Sequence, residues 1–236
     1  MRLLIVGASS GLGRALFDGL AAAGHDTVGV SRSVPADVDP ARWIAADFSD
    51  PATAADTVVG TISDTGGVLD GVLYNLGVWE PTAFSDDYDF AAQDDAVTLG
   101  LLASNVAGPI LLLQRLMPLL LAGAQPRVIL TGSTSGLPRS GRPEVAFGAS
   151  KAALNGIADA LRARYHGDRL GVTTLQLGYL NTDDTLSVPR AEAAARGEGT
   201  LIPLHDVVAV VTTLLGLSPA STVRELVMPA ILDDRF

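Results

Sequence analysis

The chain has 236 residues, 48% of them hydrophobic, which suits one globular unit with a sizeable core and is short for two independent ones. Its 16 Lys plus Arg stand against 26 Asp plus Glu, a formal charge of −10 at pH 7, so the surface repels phosphate backbones and anionic lipid, and neither nucleic acid nor a membrane is an expected partner. No cysteine is present, which excludes disulfides, thiolate metal sites and thiol nucleophiles.

Short β-rich runs alternate with helical patterns along the whole chain, the signature of crossover units on a parallel sheet. Candidate strands are Leu3–Val6, Thr27–Ser31, Trp43–Ala46, Gly71–Tyr74, Arg127–Thr131, Val172–Leu177 and Val223–Met228; helical segments fall near Leu12–Ala23, Pro51–Ser63, Leu99–Leu121, Val145–Tyr165 and His205–Leu215. Asp50 as N-cap and Pro51 at the first helical position mark the start of the second helix. The most apolar stretch, Gly108–Gly123, is interrupted by Gln114, Arg115 and Pro118 and reads as a buried helix. Residues 183–203, rich in Ala, Gly and charge and without a strong period, read as a long connection able to cover a binding site. The expectation is a single-domain α/β protein, a doubly wound Rossmann-type sheet of seven parallel strands with helices on both faces. The opening MRLLIVGASSG leads an apolar run into a glycine turn, unlike a signal peptide, so a cytoplasmic protein is expected.

That turn, Gly7-Ala-Ser9-Ser10-Gly11-Leu12-Gly13, lies between the first strand and the first helix. Glycines there permit a tight turn and let a pyrophosphate approach the free N–H groups of the helix N-terminus. GASSG also matches the nucleophile-elbow pattern with Ser9 at its centre, but that fold places strands and an oxyanion loop before the elbow, and six residues precede Gly7, so a hydrolase is set aside. Where the second strand ends, an acidic residue would accept from a ribose 2′-hydroxyl; Ser31 and Arg32 stand there, and a guanidinium suits the 2′-phosphate of NADP(H). Asp47, followed by Phe48, is placed after the third strand to accept from an adenine amino group. His25, His166 and His205 lie in unrelated segments without ligand spacing, so no metal is expected.

Taken in order, these and later motifs resemble the short-chain dehydrogenase/reductase family over essentially the whole chain. GASSGLG resembles its cofactor loop. YNLG, with Asn75 and Gly77, resembles its Asn-Asn-Ala-Gly element, and SNVAG the helix carrying its structural asparagine, here Asn105. LTGSTSG resembles the segment with its catalytic serine, here Ser133, and LGYLNT the segment whose Gly178 backbone and Thr182 hold the nicotinamide carboxamide. Leu76 and Leu177 depart from the usual alanine and proline. The resemblance implies a small carbonyl or alcohol substrate, a homodimer or homotetramer formed through the long helices, and a tyrosine and lysine four residues apart on one helical face. The lysine lowers the phenol's pKa and binds the nicotinamide ribose, while the phenol protonates the carbonyl oxygen that serine helps to hold.

In AFGASKAAL the lysine is Lys151, the only lysine of the chain, and the tyrosine position is Phe147, a ring without an oxygen. Three explanations stay open on the residues: an engineered Tyr→Phe variant of an NADPH-dependent carbonyl reductase, an enzyme using Tyr179 or Tyr74 as its proton donor, and an NADP(H)-binding sensor or scaffold without turnover. Trp79, Phe84, Tyr88 and Phe90, after the fourth strand, either line a pocket for a neutral, aromatic or alicyclic carbonyl compound or pack the following helix.

Overall fold

Strand β1 (Arg2–Val6) sends alternate side chains to opposite layers: Leu4 and Val6 join one buried cluster, Leu3 and Ile5 another. The computed structural model describes residues 1–234, and within them the central strands of the main sheet are buried this way between two helical layers, while the edge strand Glu225–Met228 is partly exposed. The elements follow as α1 (Gly11–Ala22), β2 (Asp26–Ser31), β3 (Trp43–Ala45), α2 (Pro51–Asp64), β4 (Gly71–Tyr74), α3 (Asp95–Leu102), α4 (Gly108–Leu121), β5 (Arg127–Thr131), α5 (Val145–Arg164), β6 (Gly171–Leu177), β7 (Leu180–Asn181), α6 (Arg190–Arg196), β8 (Ile202–Pro203), α7 (Leu204–Leu215) and β9 (Glu225–Met228).

The main sheet has seven parallel strands in the order β3-β2-β1-β4-β5-β6-β9. The apolar faces of α2, α4 and α5 cover one side, those of α1 and α7 the other, so the doubly wound expectation holds. From β1 the chain winds outward to β3, then returns to place β4 on the other side of β1. Loops leaving the carboxyl ends of β1 and β4 therefore diverge and leave a crevice at that switch point. At the entrance to α2 the expected cap is in place, with Asp50 accepting from the Thr53 amide at 3.3 Å and Pro51 next to it.

Three segments differ from the sequence reading. The long apolar helix starts four residues earlier, at Asp95 behind the cap Asp94, and a π-type turn over Ala103–Ala107 joins α3 to α4, so helical backbone continues from Asp95 to Leu121. By length and hydropathy this segment is able to cross a membrane. Leu112, Leu113, Leu116, Met117 and Leu120 nevertheless pack against α2 and the sheet, and Pro118 does not end the helix. The 183–203 connection is more regular than its composition announced: α6 lies within it, and β7 pairs in parallel with β8. Asp184 ties it together, accepting from Arg196 and, at 2.9 Å, from Asn181. The last strand begins at Glu225 instead of Val223.

Candidate active site

The crevice is a cleft of about 820 Å3. At its floor Gly7 takes a left-handed φ of +83°, and a Cβ on Gly13 would lie 1.9 Å from the Gly7 carbonyl oxygen, so only a bare Cα lets helix α1 start this close to β1. Ser10 caps α1 with backbone alone, and the first turn carries no acidic side chain. The Gly11 and Leu12 amides thus face the cleft beside Ser9 with the positive end of the helix dipole unopposed, as a bound pyrophosphate requires. Gly13 itself is packed behind the turn and does not reach the cleft wall.

At the far end lie Ser31, Arg32, Asp47 and the buried Phe48. Arg14, which also emerges from the glycine loop, is neutralised by Asp37 and Asp18 at 2.7 Å each. Arg32 is exposed and, among the described residues, has no ion pair. Asp47 spends one oxygen on the Ser49 amide at 3.0 Å, which leaves the other facing outward.

In the middle of the cleft stand Asn75, Gly77, Ser133, Phe147, Lys151, Gly178 and Thr182. Thr131 donates to Asn75 Oδ1 at 3.1 Å, joining β4 to β5 beneath them. Lys151 is buried on α5; its Nζ donates to the Thr131 carbonyl at 2.8 Å and lies 5.6 Å from the centroid of the Phe147 ring. Burial pushes its ammonium down to about 8. Opposite, a Cβ on Gly77 would come within 3.1 Å of that Nζ, so the glycine keeps the ammonium reachable from the cleft.

Ser133 is held at both ends: its amide donates to Gln176 Oε1 at 3.1 Å, and its Oγ accepts from the Ser135 amide at 3.1 Å. With a lone pair occupied there, the hydroxyl hydrogen is free to donate into the cleft. Gln176 is fully buried and fixed in turn by Asn155 and Glu225 at 2.7 and 2.8 Å. Nothing local in the sequence marks it, because Ser133 and Gln176 meet only through the pairing of β5 with β6.

Two residues move out of the chemical centre. The Asn105 carboxamide brackets Val78, accepting from its amide at 2.9 Å and donating to its carbonyl at 2.8 Å, and also donates to Ser150 Oγ at 3.0 Å. It positions the Gly77–Val78 backbone and does not line the cleft. Tyr74 is buried in the core under α4, where its hydroxyl donates to the Ser104 carbonyl at 2.7 Å, an acceptor that the π-type turn releases from the helix. Burial pushes its phenol up, out of any working range. Tyr74 is therefore not a proton donor for this cleft. Tyr179 does line it, and its hydroxyl accepts from Arg142 at 3.1 Å.

Sequence reasoning gave no role to two buried carboxylates beside Phe147. Glu80 Oε1 accepts from the Ala146 and Phe147 amides at 3.0 and 3.3 Å, capping α5 from another part of the chain. Glu144 Oε1 accepts from the Phe84 amide at 3.0 Å. Tyr88 completes the clasp, accepting from the Val145 amide at 2.9 Å and donating to Glu80 at 3.4 Å; burial, and then the two carboxylate charges, push its phenol up. Phe84 sits in this clasp at φ +66°, a conformation that costs a non-glycine residue about 1–2 kcal/mol.

Backbone turn, helix terminus and switch-point crevice together define a dinucleotide-binding α/β protein, with a serine, a buried lysine and an aromatic compartment grouped beyond the phosphate cradle. The chain belongs to the short-chain dehydrogenase family, whose model, short chain dehydrogenase, matches residues 2–193. An NADPH-dependent pterin aldehyde reductase of Arabidopsis thaliana is 30% identical over 198 residues, covering 77% of this chain and 75% of the relative. A rhamnolipids biosynthesis 3-oxoacyl-[acyl-carrier-protein] reductase of Pseudomonas aeruginosa is 26% identical over 214 residues, covering 85% and 81%. Among solved structures, the Pseudomonas aeruginosa RhlG/NADP active-site complex superposes with a TM-score of 0.80 at 23% identity, covering 100% of this chain and 96% of that one. A Brucella ovis oxidoreductase with partially ordered NAD gives 0.74 at 21%, covering 96% and 98%. At these identities the structural matches establish the fold. The family uses NAD(H) or NADP(H), and the structural neighbours include both.

Proposed function

We propose that the chain is an NADPH-dependent carbonyl reductase of the short-chain type, working in reverse as an alcohol dehydrogenase, whose turnover is held down by Phe147. The observation that carries this reading is one cleft with a phosphate cradle at its floor and, in its middle, Ser133 with a free hydroxyl hydrogen near Lys151. Arg32, free of carboxylate partners among the described residues, supports NADP(H) over NAD(H). The Ser9–Leu12 backbone would hold the pyrophosphate, Asp47 the adenine, Lys151 the nicotinamide ribose, and Gly178 with Thr182 the carboxamide. The bound nicotinamide would supply a hydride to a carbonyl carbon.

Ser133 would donate to the carbonyl oxygen as negative charge grows there. The family's phenol would deliver the proton, and Phe147 offers only a ring at that place. A second reading, an NADP(H)-binding protein without turnover, is favoured by that missing oxygen and by the burial of Tyr74. Exposed Leu99, Leu102 and Ile110 on α3 and α4, with Val145 on α5, support association with a second copy.

The deciding experiment assays NADPH oxidation by the purified chain and its Phe147→Tyr variant over a broad set of aldehydes and ketones, with NADPH binding measured alongside. Binding by both forms and a rise in turnover with Phe147→Tyr support the reductase. Binding by both without turnover in either leaves the binding protein, and no binding removes both.

A further inference from the structure

Beyond the cofactor cradle the cleft is walled by rings meeting at steep angles. Phe84 lies 5.1 Å from Phe147 at 88° and 5.9 Å from Tyr179 at 90°; Trp79 lies 6.1 Å from Phe84 and, at 90°, 6.5 Å from Phe147. Edge-to-face contacts of this kind leave ring faces to be covered, and Trp79 remains 56% exposed. Phe84 is not there by drift. Its left-handed backbone is held by Glu144, while Glu80 and Tyr88 fasten the same loop to the first turn of α5. Strain kept in place by buried partners at a cleft points to a selected geometry.

The charges around this compartment narrow what enters it. Arg142 lies 4.8 Å above the Tyr179 ring and is paired at 3.3 Å with Asp233, both side chains nearly buried, so its charge is already answered. The same loop and the start of α3 expose Asp86, Asp87, Asp89, Asp94 and Asp95, of which Asp87, Asp89 and Asp94 line a separate small hollow; they add to a formal charge of −10 that disfavours anionic ligands in general.

Resting on the reductase reading, we propose that the substrate is a free, uncharged, planar aryl aldehyde or ketone that stacks among Trp79, Phe84 and Tyr179, and that Glu144 is the residue positioning Phe84 for it. An acyl thioester on a phosphate-bearing carrier is disfavoured by the chain's net negative charge and lacks a ring for the compartment.

Calorimetry on the full chain, with and without NADP+, tests this using 2-acetylnaphthalene against acetoacetyl-coenzyme A, since binding to NADP+ allows no reduction. The expected result is at least about tenfold tighter binding of the aryl ketone, a convertible difference of about 1.4 kcal/mol. Phe84→Ala should cancel that preference and leave NADP+ affinity unchanged. Glu144→Ala should weaken aryl binding similarly and Glu144→Gln restore it, because an amide oxygen still accepts from the Phe84 amide; a merely structural role would not show this rescue. Equal or tighter binding of acetoacetyl-coenzyme A, or an aryl affinity indifferent to Phe84→Ala, overturns the inference. Absence of NADP+ binding overturns the reductase reading instead, and an aryl preference measured without the cofactor would then still uphold the compartment.

Discussion

The two halves of the cleft are built in different ways. The cofactor half comes from short-range chain geometry: a strand, a glycine turn and a helix N-terminus contiguous from Arg2 to Ala22. The substrate half comes from long-range side-chain clasps, with Glu80 reaching Phe147, Glu144 reaching Phe84, Arg142 reaching Asp233 and Gln176 reaching Ser133. Backbone cradles serve a ligand part that is always the same, a pyrophosphate, whereas side-chain clasps can be exchanged without disturbing the sheet. The half built from side-chain clasps is also the half where Phe147 occurs.

Changes on either side of the cleft should therefore separate cleanly. The largest effect is expected in the substrate half: Phe147→Tyr places a phenol beside Lys151, and a positioned general acid is worth about 10²–10⁴-fold, or about 3–5 kcal/mol of barrier. Steady-state kinetics should show that rise with NADPH affinity nearly unchanged. A shift in cofactor affinity of the same size would break the division between halves.

Lys151 sits on the boundary and titrates. Its folded-state value of about 8 lies below its ordinary 10.5, so between these two values the unfolded chain holds more protons and stability rises with pH. Below pH 8 the buried ammonium carries its full desolvation cost, about 3 kcal/mol for a shift of this size. Lys151→Met should accordingly unfold at higher urea than the parent at pH 7, less the lost bond to the Thr131 carbonyl. That advantage should shrink steadily from pH 8 to pH 10.5; an advantage constant with pH would sink the assignment of the cost to charge burial.

In the cofactor half, Arg32→Asp should narrow or invert a preference for NADPH over NADH, since a charge-assisted contact of about 1.5–3 kcal/mol corresponds to roughly 10- to 150-fold. Equal affinity of the parent for both cofactors would remove Arg32 as the selector. Gly13→Ala tests the cradle itself. Its Cβ would strike the Gly7 backbone carbonyl, which has no flexible side chain to give way, so the cost is at least that of ordinary overpacking, about 1–3 kcal/mol. The unfolding temperature and cofactor affinity should both fall, while aryl ketone binding measured without cofactor should hold.

The sequence by itself determined the layer architecture and the cofactor cradle, because the continuous apolar run of β1, the Asp50–Pro51 cap and the glycine spacing are local patterns whose physics acts within a few residues. Phe147 stands out only through the family resemblance, which implies a tyrosine four residues before the lysine; helix position alone does not mark it. Only the tertiary structure separated Tyr74 from Tyr179: both follow or end strands near the cleft, yet a π-type turn in α3–α4 draws the Tyr74 hydroxyl into the core while Tyr179 stays on the wall. The regular α6 and β8 in the 183–203 connection were equally hidden, since their order rests on Asp184 meeting Arg196 and on β7 pairing with β8 instead of on a hydrophobic period. Glu80 and Glu144 carry no local signature at all. A carboxylate becomes a buried cap only when the fold brings a helix N-terminus or a strained amide to it, and those partners lie about sixty residues away in the chain.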